Sequence, residues 1–154
     1  MSKITPFIWI DNNLDEAVDY YTSIFKNSKV KTQDNYGDSV PVAEFELEGQ
    51  EFYAMQGGPQ QWKFNESISF FVSCKDQDEV DYYWNKLTAN GGEESMCGWL
   101  KDKYGLSWQI VPERLKELMT DKDPAVAEAT MQAMMKMRKI IVKDLEEAVE
   151  SISA

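Results

Sequence analysis

The sequence predicts an α+β fold in which two β-α-β-β-β modules form an incomplete barrel, followed by a C-terminal helical extension. Two observations carry that prediction. The chain repeats itself at an offset of 62 residues: Ile8-Trp9-Ile10 aligns with Phe70-Phe71-Val72, and Val18-Asp19-Tyr20-Tyr21 recurs as Val80-Asp81-Tyr82-Tyr83. At an offset of 56, Gly49 with Phe52 recurs as Gly105 with Trp108. Each copy holds a short apolar strand, a polar cap, an amphipathic helix and closing strands. A duplicated unit of this kind predicts two equivalent half-sheets about a pseudo-twofold axis, with the groove between them as the natural ligand site. Residues 1–154 read as one domain: module one over 3–56, a linker over 57–65, module two over 66–112 and C-terminal helices over 113–152.

The elements follow in order. Ile4 to Ile10 is an apolar run whose Pro6 suits the start of an edge or irregular strand. Asn13 with Glu16 three residues on has the form of a helix cap, and Leu14, Ala17, Val18, Tyr21, Ile24 and Phe25 keep helical spacing up to Asn27 and Ser28. Val30 to Tyr36 reads as a strand ending in the turn Tyr36-Gly37-Asp38-Ser39. Val42 to Leu47 and Glu51 to Gln56 then form a hairpin across Glu48-Gly49. Gly57-Gly58-Pro59 opens the polar linker; it precedes no capped helix and lacks Gly-x-Gly spacing, so it is no nucleotide loop.

The second copy opens with a strand over Ser67 to Ser73, and Asp76 with Glu79 caps a helix whose buried stripe is Val80, Tyr83, Trp84 and Leu87. Asn90-Gly91-Gly92 stops that helix. Short strands are predicted over Glu94 to Cys97, Trp99 to Lys101 and Leu106 to Val111, with a turn at Asp102 to Gly105 and Pro112 closing the sheet. Arg114 to Met119 is helical in character, Asp123-Pro124 starts a helix with proline at its first position, and Asp144 caps a last helix over Leu145 to Ile152. Met131, Met134 and Met135 fall on one face, which reads as core or dimer packing before it reads as an adaptable binding surface.

Charge narrows the partners. With 27 acidic against 16 basic residues the chain carries a net charge of −11, a surface that repels phosphate backbones and anionic lipid. Neither nucleic acid nor membrane is expected as a partner. The apolar run at the N-terminus is too short for a signal peptide or a spanning helix, so a cytoplasmic location is expected. Cys74 and Cys97 have no metal-ligand spacing and read as free thiols. There is no histidine, which removes the commonest metal ligand and general base together. Without one, Cys97 beside Gly98-Trp99 is a poor nucleophile, and no catalytic residue is identified.

Several stretches together resemble the PhnB-like branch of the vicinal-oxygen-chelate (glyoxalase/bleomycin-resistance) superfamily. These are Ile4 to Trp9, Glu16 to Phe25, Glu79 to Trp84, Cys97 to Asp102 and Ser107 to Pro112, spread over residues 3 to about 150. Members of that branch are often labelled demethylubiquinone 3-methyltransferase-like. The chain has neither the glycine-rich turn nor the alternating β-α pattern of the usual S-adenosylmethionine-dependent fold. The resemblance implies the two-module fold. In metal-using members, one residue at the start of the first strand and one in the last strand of each copy hold a divalent ion. The resemblance places those positions on Thr5, Tyr53, Ser67 and Gln109. None is histidine, glutamate or aspartate, and a catalytic site takes about three such ligands, so no metal and no cofactor are expected.

Because side chains alternate along a strand, those positions identify the groove face. It takes Thr5, Phe7 and Trp9 with Ser67, Ser69 and Phe71, and Glu51, Tyr53 and Met55 with Ser107, Gln109 and Val111. Glu44, Glu46 and Glu51 read mostly as solvent-facing hairpin residues. Such a groove suits a small apolar or aromatic molecule. The alternatives are a divalent-metal-dependent lyase or dioxygenase of the same superfamily, and a non-catalytic structural or interaction protein with a filled barrel. Open sheet edges and the methionine-rich helix predict a homodimer. The matched Phe52 and Trp108 predict the register: both belong under the helices, with Tyr53 and Gln109 on the opposite face.

Overall fold

The computed structural model describes residues 2–153. It divides into two compact units, one ending at Lys63 and the other beginning at Phe64. The first contains β1 (Phe7–Ile10), α1 (Leu14–Ile24), β2 (Ser28–Tyr36), β3 (Val40–Leu47) and β4 (Gln50–Gln56), with the sheet ordered β1-β4-β3-β2. Only the β1–β4 pairing is parallel. The apolar stripe of α1 is buried throughout, against Ile8, Ile10, Ala43, Phe45, Leu47, Phe52 and Ala54. Phe45 and Phe52, direct cross-strand partners, stack at 5.5 Å.

Two expectations for this unit change. The strand begins at Phe7 rather than Ile4, after Pro6, whose carbonyl accepts the Tyr53 N–H at 2.9 Å. Asn13 does not cap α1 with its side chain: its backbone is left-handed (φ 59°), not the extended form a capping side chain needs. The first free N–H of the helix, on Leu14, instead donates to the Gln56 Oε1 at 3.0 Å.

The second unit contains β5 (Ser69–Cys74), α2 (Gln77–Thr88), β6 (Glu93–Glu94), β7 (Trp99–Lys101) and β8 (Ser107–Pro112), ordered β5-β8-β7-β6, followed by α3 (Glu113–Met119), α4 (Pro124–Met134) and α5 (Val142–Glu150). Asp76 caps α2 as its spacing predicts, accepting the Glu79 N–H at 3.0 Å. Val80, Tyr83, Trp84 and Leu87 are buried. The predicted strand at Glu94 to Cys97 shrinks to Glu93–Glu94, because Cys97 takes a left-handed conformation (φ 61°) that no ladder accommodates. Asp102 is buried; its carboxylate accepts the Trp108 indole N–H at 2.9 Å and the N–H groups of Tyr104 and Leu106.

Phe52 and Trp108 are 4% and 3% exposed, on the helix-covered faces, whereas Tyr53 is 36% exposed on the opposite one. The parallel pairing of the two copies differs in register: β1 sets Phe7 opposite Tyr53, while β5 sets Phe71, not Ser69, opposite Gln109. That displacement of two residues preserves which side chains face the helices.

The C-terminal helices bury Leu115, Leu118, Ile140 and Leu145 around Val111. Main-chain bonds hold the segment before α5: Cys97 N–H to Met137 O and Gly98 N–H to Arg138 O, both 2.8 Å. The Gln77 amide donates to Ile140 O and accepts from Val142 N–H, and Lys139 pairs with Asp81 at 2.8 Å. Asp144 lies inside α5 rather than at its cap, since Gln77 serves its first N–H. The methionine stripe is divided. Met134 packs on the core cluster, while Met131 and Met135 are 41% and 60% exposed. Among the described residues, no helix is long and apolar enough to cross a membrane.

Trp108→Ala is expected to cost about 3–5 kcal/mol in urea unfolding, as a core truncation that also strips the Asp102 carboxylate of one donor. Lys139 and then Gln77 hold the Asp81 carboxyl below its ordinary 3.8. A depressed carboxyl contributes stability above that value and loses it as the pH falls through the folded pKa. The stability gap between the wild type and Asp81→Asn, read in urea, therefore closes below pH 3.8.

Candidate functional site

In the first unit, α1 covers one face of the sheet and leaves Phe7, Trp9, Tyr53 and Met55 on the other. Phe7 and Tyr53 are paired across β1 and β4, with ring centroids 6.1 Å apart. Phe7 is 51% exposed. Thr5, just before β1, joins Tyr53, Lys31, Glu44 and Glu51 around a pocket of about 540 Å³.

Glu44 and Glu46 join Glu51 on this face and make it more polar than the groove residues expected from the strands. Glu44 pairs across the hairpin with Tyr53, and Glu46 with Glu51, so all three glutamates share the open face, each half-buried. A bulge between Val30 and Thr32 leaves Lys31 out of the ladder, and bulges of this kind re-aim a side chain. Its ammonium reaches Glu46 at 3.2 Å and donates to Glu51. Those two bonds raise the Lys31 pKa, and the Lys31 bond lowers that of Glu46. Glu44 accepts from Thr32 Oγ1 at 3.2 Å and from the Tyr53 phenol. The Glu44 bond raises the phenol pKa, so Tyr53 stays protonated at neutral pH and acts as a hydrogen-bond donor.

Trp9 is not free on this face. Its indole N–H donates to Gly58 O at 2.8 Å, and Trp62 stands edge-on to it at 4.9 Å. Lys63 closes the segment on Asp11 at 2.8 Å. Residues 57–63, which read as a linker, are a strap across Trp9. A Cβ on Gly57 would lie 2.0 Å from the Trp9 ring, so only glycine passes there. A tryptophan in an otherwise polar segment was the available signal.

In the second unit, Gln109 donates to Ser69 Oγ at 2.9 Å, beside Phe71, which is 59% exposed. Ser67 precedes β5 and is exposed, its N–H bound to Asn65 Oδ1 in a turn, just as Thr5 precedes β1. Ser107 is 1% exposed, and its hydroxyl is buried without a hydrogen-bond partner. It presents nothing to a ligand, which departs from the sequence expectation. Both cysteines are free thiols. Burial pushes Cys74 up to about 12, far from a reactive thiolate.

The positions where related folds hold a divalent ion do not fit one here. Thr5, Ser67 and Gln109 offer two hydroxyls and an amide, and Tyr53 a protonated phenol already engaged by Glu44. Among the described residues, no three His, Cys, Asp or Glu side chains gather as a metal requires. What the first unit's face offers is aromatic surface beside oriented donors and carboxylates.

Comparison with known proteins places this arrangement. The profile of the family described as 3-demethylubiquinone-9 3-methyltransferase matches residues 2–111. The PhnB protein from Bacillus cereus, whose structure is solved, is 30% identical, covers 72% of this chain and 99% of its own, and superposes with a TM-score of 0.66. A Pseudomonas aeruginosa protein of known structure is 17% identical over 73% of this chain and 98% of its own, with a TM-score of 0.61. The fosfomycin resistance protein FosX from Listeria monocytogenes, solved with Mn(II) and sulfate, is 19% identical over 70% of this chain and 89% of its own, at 0.52. At these last two identities the likeness is one of fold. No curated protein matches.

Gly57→Ala is expected to displace the Trp9 ring and destabilise the protein by about 1–3 kcal/mol, the usual cost of overpacking. Tryptophan emission should shift to the red in the same variant. An unchanged spectrum and melting temperature would mean that the strap does not hold Trp9.

Proposed function

This chain belongs to the PhnB-type 3-demethylubiquinone-9 3-methyltransferase family, within the vicinal-oxygen-chelate superfamily, and from that premise we propose that it binds a small apolar or aromatic molecule without a catalytic metal. One observation carries this reading: Phe7 and Tyr53 lie exposed, side by side, and Tyr53 lines the pocket of about 540 Å³ that also takes in Thr5. Aromatic rings left in water on a sheet whose other face is closely packed favour a flat partner, since burying them stabilises the complex. The Tyr53 phenol and the Glu44 carboxylate then orient any hydroxyl or amine the ligand carries. In the second unit Phe71 supplies the apolar surface, with Gln109 and Ser67 as its polar contacts.

The methyl transfer in the family's description is not part of this reading. The sheets are mixed four-stranded ones rather than a doubly wound parallel sheet, and no strand-to-helix turn carries a glycine-rich phosphate cradle. Lys31 holds both Glu46 and Glu51, which leaves Tyr53 and Glu44 as the polar pair of the pocket wall that faces a ligand.

A thermal-shift screen against a metabolite library tests the proposal. A ligand at about 100 times its Kd stabilises the folded state by about 2.7 kcal/mol, a readily measured rise in Tm. Phe7→Ala should abolish or weaken the shift from a ligand held by the first unit, and Gln109→Ala that from one held by the second, each leaving the unliganded Tm within a few degrees because neither side chain is in the core. A library without a single hit, or a shift untouched by both substitutions, would sink the reading.

A further inference from the structure

The helices beyond residue 111 lie outside the region matched by the family profile, yet they build a pocket of their own on the second unit. Leu115 and Leu118 of α3 are drawn into the core around Val111. That orientation leaves Glu113, Lys116, Glu117 and Thr120 along a different stripe, because residues three, four and seven apart share a helix face. The stripe forms one wall of a pocket of about 400 Å³. Phe71, Val111 and Pro112 supply its apolar side, and Phe71 is 59% exposed there.

The polar wall carries both signs of charge. Glu117 is matched by Arg114 at 3.0 Å. Neither the Lys116 ammonium nor the Glu113 carboxylate has an ion-pair partner among the described residues. A simple anion leaves Glu113 unmatched, a simple cation leaves Lys116 unmatched, and a phosphorylated ligand brings its charge against two glutamates. We propose that this pocket binds a small zwitterion with an apolar side chain, the chemistry of an aromatic or branched α-amino acid. Its carboxylate meets Lys116, its ammonium meets Glu113, and its side chain lies on Phe71 over Val111. The site shares Phe71 with the second-unit surface of the ligand reading above but not its polar contacts, so variants of Lys116 and Glu113 test it separately from that reading.

The test is calorimetric titration of the full chain with L-phenylalanine, 3-phenylpropionate and 2-phenylethylamine, the last two each lacking one charge. L-phenylalanine should bind, and each analogue should bind about fivefold more weakly, the loss of one partly exposed ion pair. Lys116→Met should bring L-phenylalanine down to the affinity of the amine, and Glu113→Gln down to that of the acid. Both residues are exposed, so neither substitution disturbs folding. Lys86→Met, at an exposed lysine of α2 outside the pocket, should change nothing. The proposal is overturned if L-phenylalanine does not bind, if the three compounds bind alike, or if the Lys116 and Glu113 variants bind L-phenylalanine as the wild type does.

Discussion

One helix packs against each four-stranded sheet, and that constraint orders everything else in this protein. Side chains on a strand alternate between faces, so drying one face leaves the other facing outward. Buried side chains such as Phe52, Ala54, Trp108 and Ile110 hold the closing strands in place. Each large one contributes about 1.5–3 kcal/mol on burial, and a slip of one residue would forfeit all of them together. Tyr53 and Gln109 face away from the helices because their neighbours cannot.

The open face of the first unit uses that freedom for polar chemistry. Hairpin pairing brings Glu44 and Glu46 beside Tyr53 and Glu51, and the bulge in β2 delivers Lys31 among them. Where a metal-using relative would need histidine or carboxylate at the strand ends, this chain has hydroxyls and an amide, and its nearby carboxylates, Glu44 and Glu46 on β3 and Glu51 on β4, are occupied by a lysine and two hydroxyls. The result is a hydrogen-bonding surface rather than a coordination sphere. Trp9 is withdrawn from it by the strap, which converts one of the expected groove aromatics into a structural residue.

Distant side chains repeatedly do what local sequence does not. Gln56 caps α1 and Gln77 caps α5, each lending an amide oxygen to a helix whose own N-terminal residue supplies none. Gly98 lets the C-terminal segment approach: its φ is +83°, and a Cβ there would lie 3.0 Å from Ile110 O and 3.1 Å from Ile140 Cγ1, so a side chain would be strained. The extension is thereby joined to the second sheet through main-chain bonds as well as through its apolar cluster.

The sequence by itself determined the duplication, the order of the elements, the buried stripes of α1 and α2 and the parity of the closing strands. All of these rest on periodicity or on residues close together in the chain. Phe52 and Trp108, matched across the repeat, were sufficient to say which face Tyr53 and Gln109 occupy. Only the tertiary structure decided the strap over Trp9, the burial of Ser107, the placing of Lys31 between two glutamates and the pocket under α3. Each depends on which distant backbone pairs with which, in what register and around which bulge. A chain's local pattern does not encode that, because the hydrogen bonds that settle it join residues dozens of positions apart.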